Sequence, residues 1–102
     1  MNSRYLLSPR AAGDLVEIWT YINEQSSLEI ADRVGSTIRE KFVFLSSNPG
    51  AGHRRENLTE RDVRFFPVYS YLIVYRAGTK PLQIVSVLHG RRDVQDLLRH
   101  RL

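Results

Sequence analysis

The chain has 102 residues, 42% of them hydrophobic and 25% charged, which is enough for one core of two packed layers and too little for two independent ones. That balance excludes a disordered polyampholyte, and the absence of cysteine excludes a disulfide framework and thiolate chemistry. A formal charge of +4 suits an anionic partner, either nucleic acid or an acidic protein segment.

A single domain over residues 1–102 is therefore expected to carry the whole function. The opening MNSRYLLSPRAAG has no apolar segment of signal-peptide length, and no run approaches the about 18 apolar residues of a membrane span. The expectation is a cytoplasmic protein with no membrane partner.

RYLL, at residues 4–7, reads as a short first strand. Ser8 followed by Pro9 is a helix start, a capping oxygen and then a residue that needs no amide partner. Ala11, Leu15, Ile18 and Ile22 recur at helical spacing, with Ala12 and Trp19 beside them, and predict an amphipathic helix over 9–24. Ser26 and Glu29 have the spacing of a capping box, and Ile30, Val34, Ile38, Phe42 and Leu45 mark one face of a second helix ended by the NPG at 48–50. So few residues part the two helices that they should form an antiparallel αα-hairpin.

Residues 49–61, PGAGHRRENLTER, are polar and glycine-bearing and read as a connecting loop. DVRFFPV, YLIVYR and QIVSVLH are then dense in β-branched and aromatic residues and predict a three-stranded antiparallel meander. Asp93 is placed to open a last short helix, with Val94, Leu97 and Leu98 inward and the basic RHRL against its C-terminal dipole. The order β-α-α-β-β-β-α implies an α+β fold of two layers, the αα-hairpin packed on an antiparallel sheet.

His53, His89 and His100 show no paired metal-ligand spacing, and no P-loop, GxGxxG or GxSxG pattern is present, so neither a metal nor a cofactor is expected. Metal-free RNA cleavage would need a base, an acid and cations around one phosphate. His89, Glu56 or Glu60, and Arg91 are the residues available for it. The competing reading makes His89 a strand end and the two glutamates solvated loop residues. Arg54, Arg55, Arg61, Arg64, Arg91 and Arg92 form two basic clusters suited to carboxylate or phosphate. Arg91 and Arg92 stand out because they follow Gly90 at a strand-to-helix junction. Phe65, Phe66, Tyr69, Tyr71 and Tyr75 divide by strand alternation between core and surface, where outward rings beside arginines could stack on bases or anchor a peptide.

LSPRAAGDLVEIWTYI, NPGAG, VRFFPVYSYLIVYR and IVSVLHGRRDVQDLL, in that order across almost the whole chain, resemble the ParE toxins of the RelE/ParE superfamily. The resemblance implies a RelE/ParE-like fold and the toxin of a type II toxin–antitoxin module, of the plasmid-stabilization kind, that arrests growth by poisoning DNA gyrase. It also implies neutralisation by a ParD-like antitoxin in a hetero-oligomer that binds operator DNA through the antitoxin. Ribosome-dependent messenger-RNA nucleases of the RelE type share the superfamily and place an arginine after the tyrosine of the middle strand. Here Leu72 follows Tyr71, and leucine offers a phosphate neither charge nor hydrogen bond.

The expectation is thus a non-catalytic gyrase inhibitor with its target contact at Arg91 and Arg92. The expected antitoxin seat is a groove between the αα-hairpin and the sheet, with Trp19, Phe65, Tyr71 and Tyr75 as apolar contacts and Arg61, Arg64 and Arg76 as cations. Two alternatives stay open: a RelE-like nuclease using His89 and Arg91, and an inactive homologue that retains only antitoxin binding.

Overall fold

The computed structural model describes residues 4–92 and 94–102. The expected helix start at Asp93 lies outside the described residues. The elements follow the predicted order: β1 (Tyr5–Leu7), α1 (Pro9–Gln25), α2 (Leu28–Ser47), a 3₁₀ turn (Pro49–Ala51), β2 (Arg64–Val68), β3 (Tyr71–Arg76), β4 (Leu82–His89) and α3 (Val94–Arg101). Ser8 caps α1 as its sequence suggests, its Oγ accepting the Ala11 N–H at 3.0 Å while its hydroxyl donates to the Val85 carbonyl at 2.7 Å. The second cap is displaced by one residue from expectation. Ser27, not Ser26, accepts the Ile30 N–H at 3.1 Å, because the Ser26 N–H is still bonded to Ile22 O and closes α1.

The sheet order is β1-β4-β3-β2, with β2, β3 and β4 antiparallel and β1 parallel to β4. Tyr69 and Ser70 close the β2–β3 hairpin, Tyr69 in the left-handed region at φ 53°. A β-bulge between the pairs Val74–Ser86 and Tyr75–Ile84 shifts the alternation of β4. The αα-hairpin covers one face, where Ala11, Leu15, Ile38, Phe42, Leu45, Val68, Ile73, Tyr75, Ile84 and Val87 form the main core. Ile30, expected on that buried stripe, is exposed.

The other face carries a second, smaller cluster. Val63, Phe65, Val74 and Leu88 are covered there by Val94 and Leu98 of α3, with Leu97 half-buried alongside. Apolar residues on both faces explain why the strands read as dense hydrophobic runs and not as strict alternation. Each face needs its own cover, and the terminal helix supplies the second one. Among the described residues no helix is long and apolar enough to cross a membrane.

Candidate functional site

β1 covers β4 only as far as Ile84, so the remainder of that edge needs other partners for its backbone. Asp14 supplies one. It sits on the inward face of α1, 4% exposed, and its Oδ2 accepts the Val87 N–H at 2.9 Å and the Ser86 hydroxyl at 2.8 Å. Arg101, from α3 on the opposite face, reaches round the edge: its Nη1 donates to Asp14 Oδ1 at 3.0 Å and to Ser86 Oγ at 2.7 Å. A largely buried ion pair thus joins α1, β4 and α3 just before the strand end at His89 and the turn that carries Arg91 and Arg92. Sequence reasoning passed over Asp14 and Ser86, and read Arg101 only as part of the basic end of α3. The available signals were an aspartate on an otherwise apolar helical stripe and a serine inside an apolar strand.

Beyond that bridge the strand ends in a tight turn. The Arg91 N–H donates to His89 Nδ1 at 3.2 Å, the Arg92 N–H to His89 O at 3.1 Å, and the Gly90 N–H to Ser70 O at 2.8 Å. A Cβ at Gly90 would lie 3.3 Å from Ser70 O, so the close approach of the two turns favours glycine. Arg91 and Arg92 are exposed, and among the described residues neither has a carboxylate within ion-pair distance. His89 is the cross-strand partner of Tyr71 and meets it edge-on, ring centroids 5.4 Å apart. These residues, with Glu17 and Tyr21 of α1, line a cavity of about 520 Å³ on the hairpin side of the sheet. Burial pushes the Tyr71 phenol above its ordinary value, and the nearby Tyr21 adds to that rise.

The acid–base set available for RNA cleavage is not gathered in one place. His89 and Arg91 share that cavity, whereas Glu56 lines an opening on the other face with His53, Arg54, Arg55 and Leu72. Glu60 lies with Arg61, Gln95 and Arg99 beside α3. Leu72 packs against the smaller core, on the face opposite His89. Among the described residues no three histidine, aspartate or glutamate side chains come together as a metal site.

The residues expected to seat an antitoxin are dispersed. Phe65 and Tyr75 are buried, in different cores on opposite faces, and have no side-chain surface to offer. The main core fills the space between hairpin and sheet except at the end of β4, where the cavity lined by Glu17, Tyr21, Tyr71 and His89 opens; of the residues expected in that groove, it holds Tyr71 alone. Tyr75 holds the loop after α2: its hydroxyl donates to Pro49 O and accepts the Gly52 N–H, both at 2.8 Å. Burial pushes the Tyr75 phenol up, an effect reduced by the Gly52 N–H and by Arg64. Arg64 donates to Gly52 O at 2.9 Å, Arg61 is exposed near α3, and Arg76 lies half-buried at the opposite end of β3 from Tyr71. Trp19 is half-buried between α1 and α2, its Nε1–H donating to Asp32 Oδ1 at 2.8 Å, and it lines an apolar cavity of about 330 Å³ with Val16, Gly35 and Arg39. Exposed Phe44 packs on Phe66 at 5.8 Å and forms a separate apolar patch.

The chain has known relatives. The family described as "ParE toxin of type II toxin-antitoxin system, parDE" matches residues 5–94. The chain belongs to the ParE toxin family. It is 33% identical over 85 residues to Toxin ParE1 of Caulobacter vibrioides, covering 83% of this chain and 86% of that one. It is 30% identical over 95 residues to Toxin ParE1 of Mycobacterium tuberculosis, covering 92% and 96%. A solved structure titled "Chromosomal ParDE TA system from P. aeruginosa" superposes with a TM-score of 0.72 over 85% of this chain and 98% of that one, at 22% identity, a likeness of fold. Among the described residues, Arg91 and Arg92 at the β4–α3 turn are exposed cations with no carboxylate in ion-pair distance.

Proposed function

We propose that this ParE-family toxin arrests growth by binding DNA gyrase and stabilising its cleaved-DNA complex, without catalysing a reaction of its own. The observation that carries this reading is the pair Arg91 and Arg92, exposed and unpaired among the described residues at a turn held by backbone bonds of Gly90, Arg91 and Arg92 to Ser70 and His89. Exposed cations with no carboxylate partner among the described residues lose little on meeting an external anion, since no ion pair has to break first. Leu72 supports the non-catalytic reading, because an apolar side chain stands where the nuclease branch uses a cation.

A ParD-like antitoxin would neutralise the toxin in a hetero-oligomer and carry the complex to operator DNA. Its apolar anchors would meet Trp19 and Val16 between α1 and α2, and its carboxylates would meet Arg39, Arg61, Arg64 and Arg76. Induction of the toxin in cells tests the reading. DNA-damage response and filamentation with messages initially intact are expected; early message cleavage that requires His89 and Arg91 would replace it with the ribosome-dependent nuclease reading.

A further inference from the structure

The cavity at the β4–α3 turn has a composition that the target reading alone leaves unexplained. Among the described residues its cations are Arg91 and Arg92, its rings are Tyr21, Tyr71 and His89, and its free carboxylate is Glu17, because Asp14 in the same wall is already neutralised by Arg101. The local balance is therefore positive. Tyr21 is 60% exposed at the rim and has no ring partner among the described residues, whereas Tyr71 is met edge-on by His89. A carboxylate-bearing peptide would need only the arginines. Arginines beside an exposed ring, in a space within the about 300–1,000 Å³ of ordinary ligand sites, match the repeating unit of a nucleic acid strand: one phosphate for the cations, one base for the ring.

We propose that this cavity binds a phosphodiester of a single-stranded nucleic acid, Arg91 and Arg92 taking the phosphates and Tyr21 stacking on a base. The proposal rests on the reading of Arg91 and Arg92 as the target contact, and gives that contact its chemistry: in a cleaved-DNA complex the toxin touches the exposed strand itself. A duplex fits less well, because its stacked bases present no face to Tyr21.

Fluorescence anisotropy with labelled oligothymidine and oligouridine of about 12 nucleotides, and with a duplex of the same length, tests it directly. The single strand is expected to bind more tightly than the duplex. Arg91→Ala/Arg92→Ala should weaken binding at least about tenfold and reduce the slope of log K against log salt by about 1.4, the single-strand value for two phosphate contacts. Tyr21→Ala should weaken it about tenfold without a change in slope. Arg33→Ala/Arg55→Ala removes two exposed arginines elsewhere and should leave binding within about twofold.

Preference for oligothymidine assigns the site to DNA, and preference for oligouridine assigns it to RNA. Equal losses in the two arginine pairs would overturn the proposal, since binding would then follow net charge alone. Gyrase inhibition that needs Arg91 and Arg92 in a protein that binds no oligonucleotide would also overturn it while leaving the gyrase reading standing. Oligonucleotide binding with the expected variant pattern and no effect on gyrase would keep the site and remove the gyrase reading.

Discussion

Arg101→Met should be among the most destabilising single substitutions at the C-terminal end of this chain. The guanidinium is one of three donors on Asp14, and removing it leaves a carboxylate that is 4% exposed with only Ser86 and Val87 to stabilise its charge. Leaving one member of a buried pair uncompensated costs about 3–5 kcal/mol. A domain of this size has about 5–15 kcal/mol in total, so roughly a fifth of it or more would go. Tm should fall by about 12 °C or more. Asp14→Asn/Arg101→Met removes both charges yet keeps a side-chain oxygen for the Val87 N–H, and should recover most of the loss. Urea unfolding followed by far-UV circular dichroism gives both values. A cost below about 1 kcal/mol for Arg101→Met, the worth of an ordinary surface pair, would refute the buried bridge.

Tyr75→Phe removes the donor to Pro49 O and the acceptor for the Gly52 N–H and should cost about 1–3 kcal/mol, measured by the same unfolding curves. The Tyr75 phenol also sets a pH dependence. Its pKa is raised in the folded state above the ordinary 10.0, so its contribution is fully present below that value and is lost as pH rises from there through the folded pKa. Stability of the wild type should fall through that alkaline window more steeply than that of Tyr75→Phe. Gly52→Ala would bring a Cβ to 2.5 Å from the Tyr75 hydroxyl and 2.9 Å from Phe65 O, and should cost about 1–3 kcal/mol by displacing the same loop. Trp19→Ala should weaken the affinity of a cognate antitoxin by about 2 kcal/mol or more in isothermal titration calorimetry, while Arg55→Ala, at an exposed position outside that seat, should change it little.

Local rules served well where the cause was local. Ser8 and Pro9 announced α1, the period of Ile38, Phe42 and Leu45 announced the buried side of α2, and the β-branched runs announced the meander. Ser26 and Ser27 show their limit: both are competent caps, and the choice depended on how far α1 continued. A three-residue β1 carries no signal for its partner, so its parallel pairing with β4 was not legible. Nor was the division of Phe65 and Tyr75 between two cores, because a second covered face depends on a terminal helix that packs from far along the chain. Periodicity treats an aspartate or serine as outward, and Asp14 and Ser86 are inward because they satisfy each other, Arg101 and an open strand edge. The pair Arg91 and Arg92 was visible as a cluster. The turn that holds it and the cavity beside it were not, since His89, Tyr71 and Tyr21 come together only through strand pairing and the placement of α1.

The central claim is that this ParE-family chain acts on gyrase through Arg91 and Arg92. Purified gyrase with ATP and plasmid, incubated with wild-type toxin or with Arg91→Ala/Arg92→Ala, measures it most directly. The account predicts inhibited supercoiling with accumulated linear DNA, and a marked weakening of both in the double variant at unchanged thermal stability. Gyrase that supercoils normally at toxin concentrations that arrest cells would contradict it.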